Sequence, residues 1–119
     1  GIVAMPHCVI EYSAQAADCY PVADLIEAAQ LAMIGSGLFG ADDIKTRSVR
    51  YDDFVTGNGA EAFAHLTIRI LSGRTQQQRI ELSECVVGRL SEQFPELEEI
   101  TVEIREMERE SYRKVQRPR

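Results

Sequence analysis

The sequence predicts an α+β fold in which two β-α-β units make a four-stranded mixed sheet with two helices on one face. Three observations predict it. Four short segments alternate apolar and polar residues at strand period, three of them clearly and one weakly. Between the first and second, and again between the third and fourth, lies a run whose apolar residues recur at helical spacing. A helix between two strands of one sheet calls for a right-handed crossover and parallel pairing within each unit. Two helices suffice to cover only one face of such a sheet.

The first strand is read at His7 to Tyr12, with Cys8, Ile10 and Tyr12 on one face and His7, Val9 and Glu11 on the other. Pro6 is tolerated at its start because the first residue need not donate a ladder hydrogen bond. After the connection AQAADCY, Val22, Leu25, Ile26, Ala29 and Met33 form the stripe of the first helix, which Gly35 and Gly37 end. Ile44 to Tyr51 is the weaker, mixed strand, and TGNG at 56–59 is a turn. Ala64, Leu66, Ile68 and Ile70 then alternate against Phe63, His65, Thr67 and Arg69. Thr75 followed three residues later by Gln78 has the capping-box pattern of a helix start, and Leu82, Cys85, Val86 and Leu90 supply that helix with an apolar stripe. Ile100, Val102 and Ile104 mark the last strand, and the tail from Glu108 to Arg119 is too polar to pack alone. The outer sheet face would carry Thr67, Arg69, Thr101, Glu103 and Arg105, so it is expected to be solvated or turned toward other subunits.

With 119 residues the chain can build one domain with a modest core. A net charge of -6 argues against non-specific nucleic-acid binding, which demands a basic surface. No apolar run approaches the roughly 20 residues of a membrane helix, so no membrane partner is expected. Cys8, Cys19 and Cys85 are odd in number and lack CxxC spacing, the pattern of reduced, cytoplasmic thiols. Residues 1–4 have no pattern of their own, and residues 1–5 are expected to be an added leader plus an initiator Met, with 6–119 a single domain.

Two motifs bear chemistry. If Met5 is removed, Pro6 becomes the amino terminus, and its free secondary amine can act as a base; one residue further inside a chain, a proline nitrogen is a tertiary amide and cannot. The second motif is ILSGRTQQQ at 70–78, where a strand runs through Ser72-Gly73-Arg74 into a helix. The first amides of a helix lack internal partners and favour anions, and Arg74 adds a guanidinium fork suited to a carboxylate. The bland reading, a turn glycine followed by a solvated arginine, fits the same residues. Arg47 is a second candidate cation. His7 and His65 begin different strands with no acidic or cysteine partner at ligand spacing, so no metal site is expected. No GxSxG, P-loop or dinucleotide fingerprint is present.

MPHCVIEYS at the start, SVRYDD in the middle, FAHLTIRILSGRT and finally VEIREMERESYRK together resemble 5-carboxymethyl-2-hydroxymuconate isomerase, a family of the tautomerase superfamily. The resemblance covers nearly the whole chain after Met5, in order. It implies a tautomerase-like homotrimer of β-α-β-β-α-β subunits acting without a cofactor in the homoprotocatechuate pathway of aromatic compound catabolism. It places the catalytic N-terminal proline on Pro6, the substrate-binding arginine of the GR[ST] motif on Arg74, and the second-strand arginine on Arg47. Ala64 holds the place in the second half that Pro6 holds in the first, which implies one active site per chain. Two departures are Ser72 where the family often has alanine, and the loop TGNGAEA. The implied substrate is an unsaturated 2-hydroxy or 2-keto dicarboxylate such as 5-carboxymethyl-2-hydroxymuconate. Two alternatives remain open in the sequence: a related tautomerase for another keto or enol acid, and a non-catalytic ferredoxin-like module that binds a small ligand.

Overall fold

The computed structural model describes residues 5–119; the leader expected at residues 1–4 lies outside them. Strand β1 (His7–Ser13) pairs in parallel with β2 (Lys45–Tyr51) and antiparallel with β3 (Phe63–Leu71), which pairs in parallel with β4 (Glu99–Met107). The sheet order is β2-β1-β3-β4, the mixed four-stranded sheet expected from two joined β-α-β units. Helices α2 (Val22–Gly35) and α3 (Gln76–Gln93) are the two crossovers. Their buried residues Leu25, Ala29, Met33, Leu82, Val86 and Leu90 meet Cys8, Ile10, Leu66, Ile68 and Ile70 from the central strands in one core. Residues i and i+2 of a strand share a face, so the alternation read in β1 and β3 delivers one side of each to this core. Each large aliphatic side chain fully buried there contributes about 1.5–3 kcal/mol of transfer free energy.

One helix was not foreseen. The connection after β1 contains α1 (Ala14–Cys19), whose Ala16 is buried in the same core. Ser13 caps it by accepting a hydrogen bond from the amide of Ala16 at 3.2 Å. Pro21 separates α1 from α2, because a residue before proline is pushed out of the helical region; Tyr20 is accordingly extended, with φ -142° and ψ 140°. A single 3-10 turn, Ala41–Asp43, leads into β2. At α3 both halves of the expected capping box form: Thr75 Oγ1 accepts from the Gln78 amide at 3.1 Å, and Gln78 Oε1 accepts from the Thr75 amide at 2.9 Å. Strand β4 lies at the sheet edge, so Ile100, Val102 and Ile104 are only partly buried against the core. The expected turn at 56–59 closes through the Gly59 amide on the Thr56 carbonyl, with Gly59 at φ 79°.

The outer face is polar, as its sequence requires. Strand register sets Lys45, His7, Arg69 and Arg105 in one line across all four strands. His65 bridges Thr101 and Glu103 at 2.6 Å each, and Arg105 pairs with Glu103. Among the described residues no helix is long and apolar enough to cross a membrane.

Candidate active site

Antiparallel pairing of β1 with β3 decides where the two chemical motifs meet. His7 stands opposite Arg69, so the same register carried one residue back sets Pro6 across from Ile70, two residues before Ser72. The start of β1 and the end of β3 therefore share one end of the sheet. Pro6 is fully buried, and its carbonyl accepts a hydrogen bond from the Lys45 amide at 3.1 Å. Its nitrogen is bonded to the carbonyl carbon of Met5, so in this chain it is an amide nitrogen without a basic lone pair. Met5 is itself buried, at 5% exposure.

A cavity of about 750 Å³ opens here, lined by Met5, Leu38, Phe39, Gly73, Arg74 and Arg109 among others. Gly73 turns the chain from β3 toward α3 at φ 123°, a conformation that side-chain-bearing residues rarely adopt. The turn swings Arg74 into the cavity wall. One of its terminal nitrogens donates to the Leu38 carbonyl at 2.9 Å, and the guanidinium carbon lies 5.8 Å from the centre of the Phe39 ring. A cation over an aromatic face is held by the ring quadrupole without losing its charge. Arg109, just beyond β4, grips the Ser72 carbonyl with Nε at 3.2 Å and Nη2 at 2.8 Å. Among the described residues Asp43 is the one carboxylate in the lining, against two guanidinium groups.

Arg47 is elsewhere. It pairs with Val9 in register, which puts it on the outer face with His7, and its Nη1 lies 3.0 Å from His7 Nδ1. Within one chain, then, Met5 and Arg74 line one cavity with Pro6 buried next to Met5, and Arg47 lies on the other face of the sheet. His7 is held from its other nitrogen by the Tyr112 hydroxyl at 2.8 Å. Burial, and then Arg47, Lys45 and Arg69, hold its pKa below the usual 6.5 by disfavouring the imidazolium. The same tail brings Lys114 Nζ to 3.7 Å from the Met5 sulfur. Among the described residues no group of three histidines, cysteines or carboxylates is placed to hold a metal ion. Burial pushes the Cys8 thiol up to about 12, which leaves it protonated and inert at neutral pH.

Sequence reasoning missed Arg109, Leu38 and Phe39. Leu38-Phe39 left a signal, an apolar pair directly after the Gly-rich end of a helix. Arg109 left none, because only the β3–β4 pairing carries that part of the polar tail to Ser72.

This fold recurs in solved structures. A 5-carboxymethyl-2-hydroxymuconate isomerase from Deinococcus radiodurans R1 superposes with a TM-score of 0.79 at 20% identity, over 96% of this chain and 91% of that one. A 5-carboxymethyl-2-hydroxymuconate delta-isomerase gives 0.77 at 18% identity, over 93% and 87%. A fused 4-OT symmetric trimer gives 0.69 at 18% identity, over 86% and 85%. The chain thus has the tautomerase-like fold that its motifs implied. A model of the 5-carboxymethyl-2-hydroxymuconate isomerase family matches residues 6–116, and the chain belongs to that family. No curated protein matches it by sequence.

Proposed function

We propose that the chain is a cofactor-independent isomerase that shifts a proton within an unsaturated 2-hydroxy or 2-keto di- or tricarboxylate, 5-carboxymethyl-2-hydroxymuconate with its three carboxylates being the type substrate, with Pro6 as the base once residues 1–5 are gone. The observation that carries the reading is that Met5, the residue acylating Pro6, and Arg74 line one cavity. The family match beginning at Pro6 supports it further.

Moving a double bond requires a proton to leave one atom and return to another. A single base that collects and redelivers the proton suffices, provided its pKa lies near working pH. An α-amino group titrates at roughly 7.7–8.0, and a secondary amine is intrinsically more basic. The buried setting of Pro6 and a nearby guanidinium both disfavour the ammonium form and lower that value. Arg74 holds a carboxylate and steadies the negative charge that develops on the dienolate. Arg47, on the outer face, serves the site of a neighbouring subunit in a homotrimer whose polar sheet faces line the centre; the trimeric assembly of a structural relative supports this arrangement.

The test is a chain beginning at Pro6, offered a panel of unsaturated 2-hydroxy and 2-keto acids in deuterated water. Proton transfer is followed by the change in ultraviolet absorbance and by deuterium uptake. Turnover of a dicarboxylate is expected. Saturable binding with no turnover of any member would overturn the isomerase and leave the small-ligand-binding module.

A further inference from the structure

We infer that Arg109 is a second carboxylate-binding arginine of the cavity, so that Arg74 and Arg109 together select a ligand with two carboxylates. The inference rests on the reading that this cavity is the substrate site, and it adds a residue and a selectivity to it.

Both guanidinium groups line the same cavity, and both are half-buried. Each is fixed by a backbone carbonyl instead of being neutralised by a carboxylate: Arg74 by Leu38, Arg109 by Ser72. Neither forms an ion pair among the described residues, whereas Arg79, a turn further along α3, is paired with Glu106 at 2.9 Å. Arg109 uses Nε and Nη2 on Ser72, leaving the donors of Nη1 without a hydrogen bond among the described residues. Arg74 likewise keeps Nε and its other terminal nitrogen. An arginine anchored through one edge keeps its charge and its orientation while presenting free donors, which is the arrangement that recognises a carboxylate at low entropic cost. Anchoring Arg109 on Ser72 also ties the two cations together, since Ser72 and Arg74 flank the same glycine. The hollow on the outer face offers no such excess, because it sets Arg69 and Arg105 against Glu103 and Glu106.

The test is calorimetric binding of hexanedioate and of hexanoate to the full chain, in which Pro6 is acylated and no turnover is needed. Arg109→Gln is the informative variant, because its amide can still donate to the Ser72 carbonyl but carries no charge. A charge-assisted contact is worth about tenfold or more in affinity, so the parent should prefer hexanedioate by about that margin. Arg109→Gln should erase the preference, weakening hexanedioate by about tenfold and hexanoate by no more than about twofold, because a single carboxylate can still bind Arg74. No preference in the parent, or a preference that survives the substitution, overturns the inference. Equal weakening of both acids also overturns it, by making Arg109 a structural brace of the Ser72–Arg74 turn. If the preference behaves as expected but the chain beginning at Pro6 isomerises nothing, the isomerase reading falls and the two-arginine clamp stands.

Discussion

The two β-α-β halves are built alike and equipped differently. The first half starts on Pro6, and its β1 ends at Ser13, a fully buried side chain whose oxygen accepts from Ala16 and from Phe63, at 3.2 and 3.0 Å. The second half has Ala64 where the first has Pro6, and that alanine is buried inside β3. In exchange its strand ends in Ser72-Gly73-Arg74, and the residue of the first half at the same offset from the proline position, Ala16, is buried at 0% exposure. In the proposed mechanism one half supplies the basic nitrogen and the other a cation. Antiparallel pairing of β1 and β3 is what makes the division workable, since it lays the beginning of β1 beside the end of β3.

The comparison can be broken most violently at Ala16. Placing a cation there by Ala16→Arg should not create a second site; it should unfold the first half, because an unpaired buried charge costs about 3–5 kcal/mol. Loss of a cooperative thermal transition checks this, and a stable Ala16→Arg chain would show that the first half can accept the second half's equipment. Next in size is Arg74→Ala in the chain beginning at Pro6. Removing one positioned donor to a developing anion lowers turnover by about 100-fold or more, while stability stays near the parent because no core cavity opens. Steady-state kinetics beside a melting curve separate the two; a sharp fall in melting point with activity retained would make Arg74 structural. Ser13→Ala should do the reverse, costing about 1–3 kcal/mol of stability through a lost cap and an unsatisfied Phe63 amide, with catalysis per folded molecule intact. Denaturant unfolding measures it.

The smallest effect is in pH. The folded-state pKa of His7 lies below 6.5, so between that value and 6.5 the unfolded chain binds more protons than the folded one. Stability therefore rises with pH across this window and is level above it. Glu103, held below its usual 4.5 first by Arg105 and then by His65, adds a loss of stability only at lower pH, as acidification passes its folded-state pKa. The melting point should fall as pH is lowered from 7 through 6.5, and His7→Gln should flatten that slope. An unchanged slope in His7→Gln would show that His7 is no different from a solvated histidine.

What was legible in the sequence follows from where local patterns and tertiary contacts agree. β1, β3 and both crossover helices were readable because each has one buried and one wet face, which forces a period. The capping box of α3 was readable because it is entirely local. α1 escaped because a six-residue helix is too short for a stripe, although Ser13 before an alanine-rich run marks a capped start. β2 and β4 were fainter, being edge strands whose residues are nowhere fully buried. Of the candidate site, the sequence marked Arg74 at the strand-to-helix junction, which lines the cavity, and Pro6 at the start of β1, next to the lining residue Met5. The position of Arg47 on the far face was not legible, because a strand's alternation says which residues share a face but not which face a distant arginine needs. Arg109 was hidden for a related reason: its partner Ser72 is 37 positions away, and nothing in the tail marks the contact.

The central claim is that the nitrogen of Pro6, brought by the first half to the cation of the second, is the base. Its most direct test compares the full chain with a matched chain beginning at Pro6, in one assay with the same unsaturated dicarboxylate. Both should fold and assemble alike, the full chain should be nearly inactive, and the chain beginning at Pro6 should turn over with a rate that rises with pH as a single amine loses its proton. Equal turnover by the two chains would contradict the account, because an acylated Pro6 cannot accept a proton.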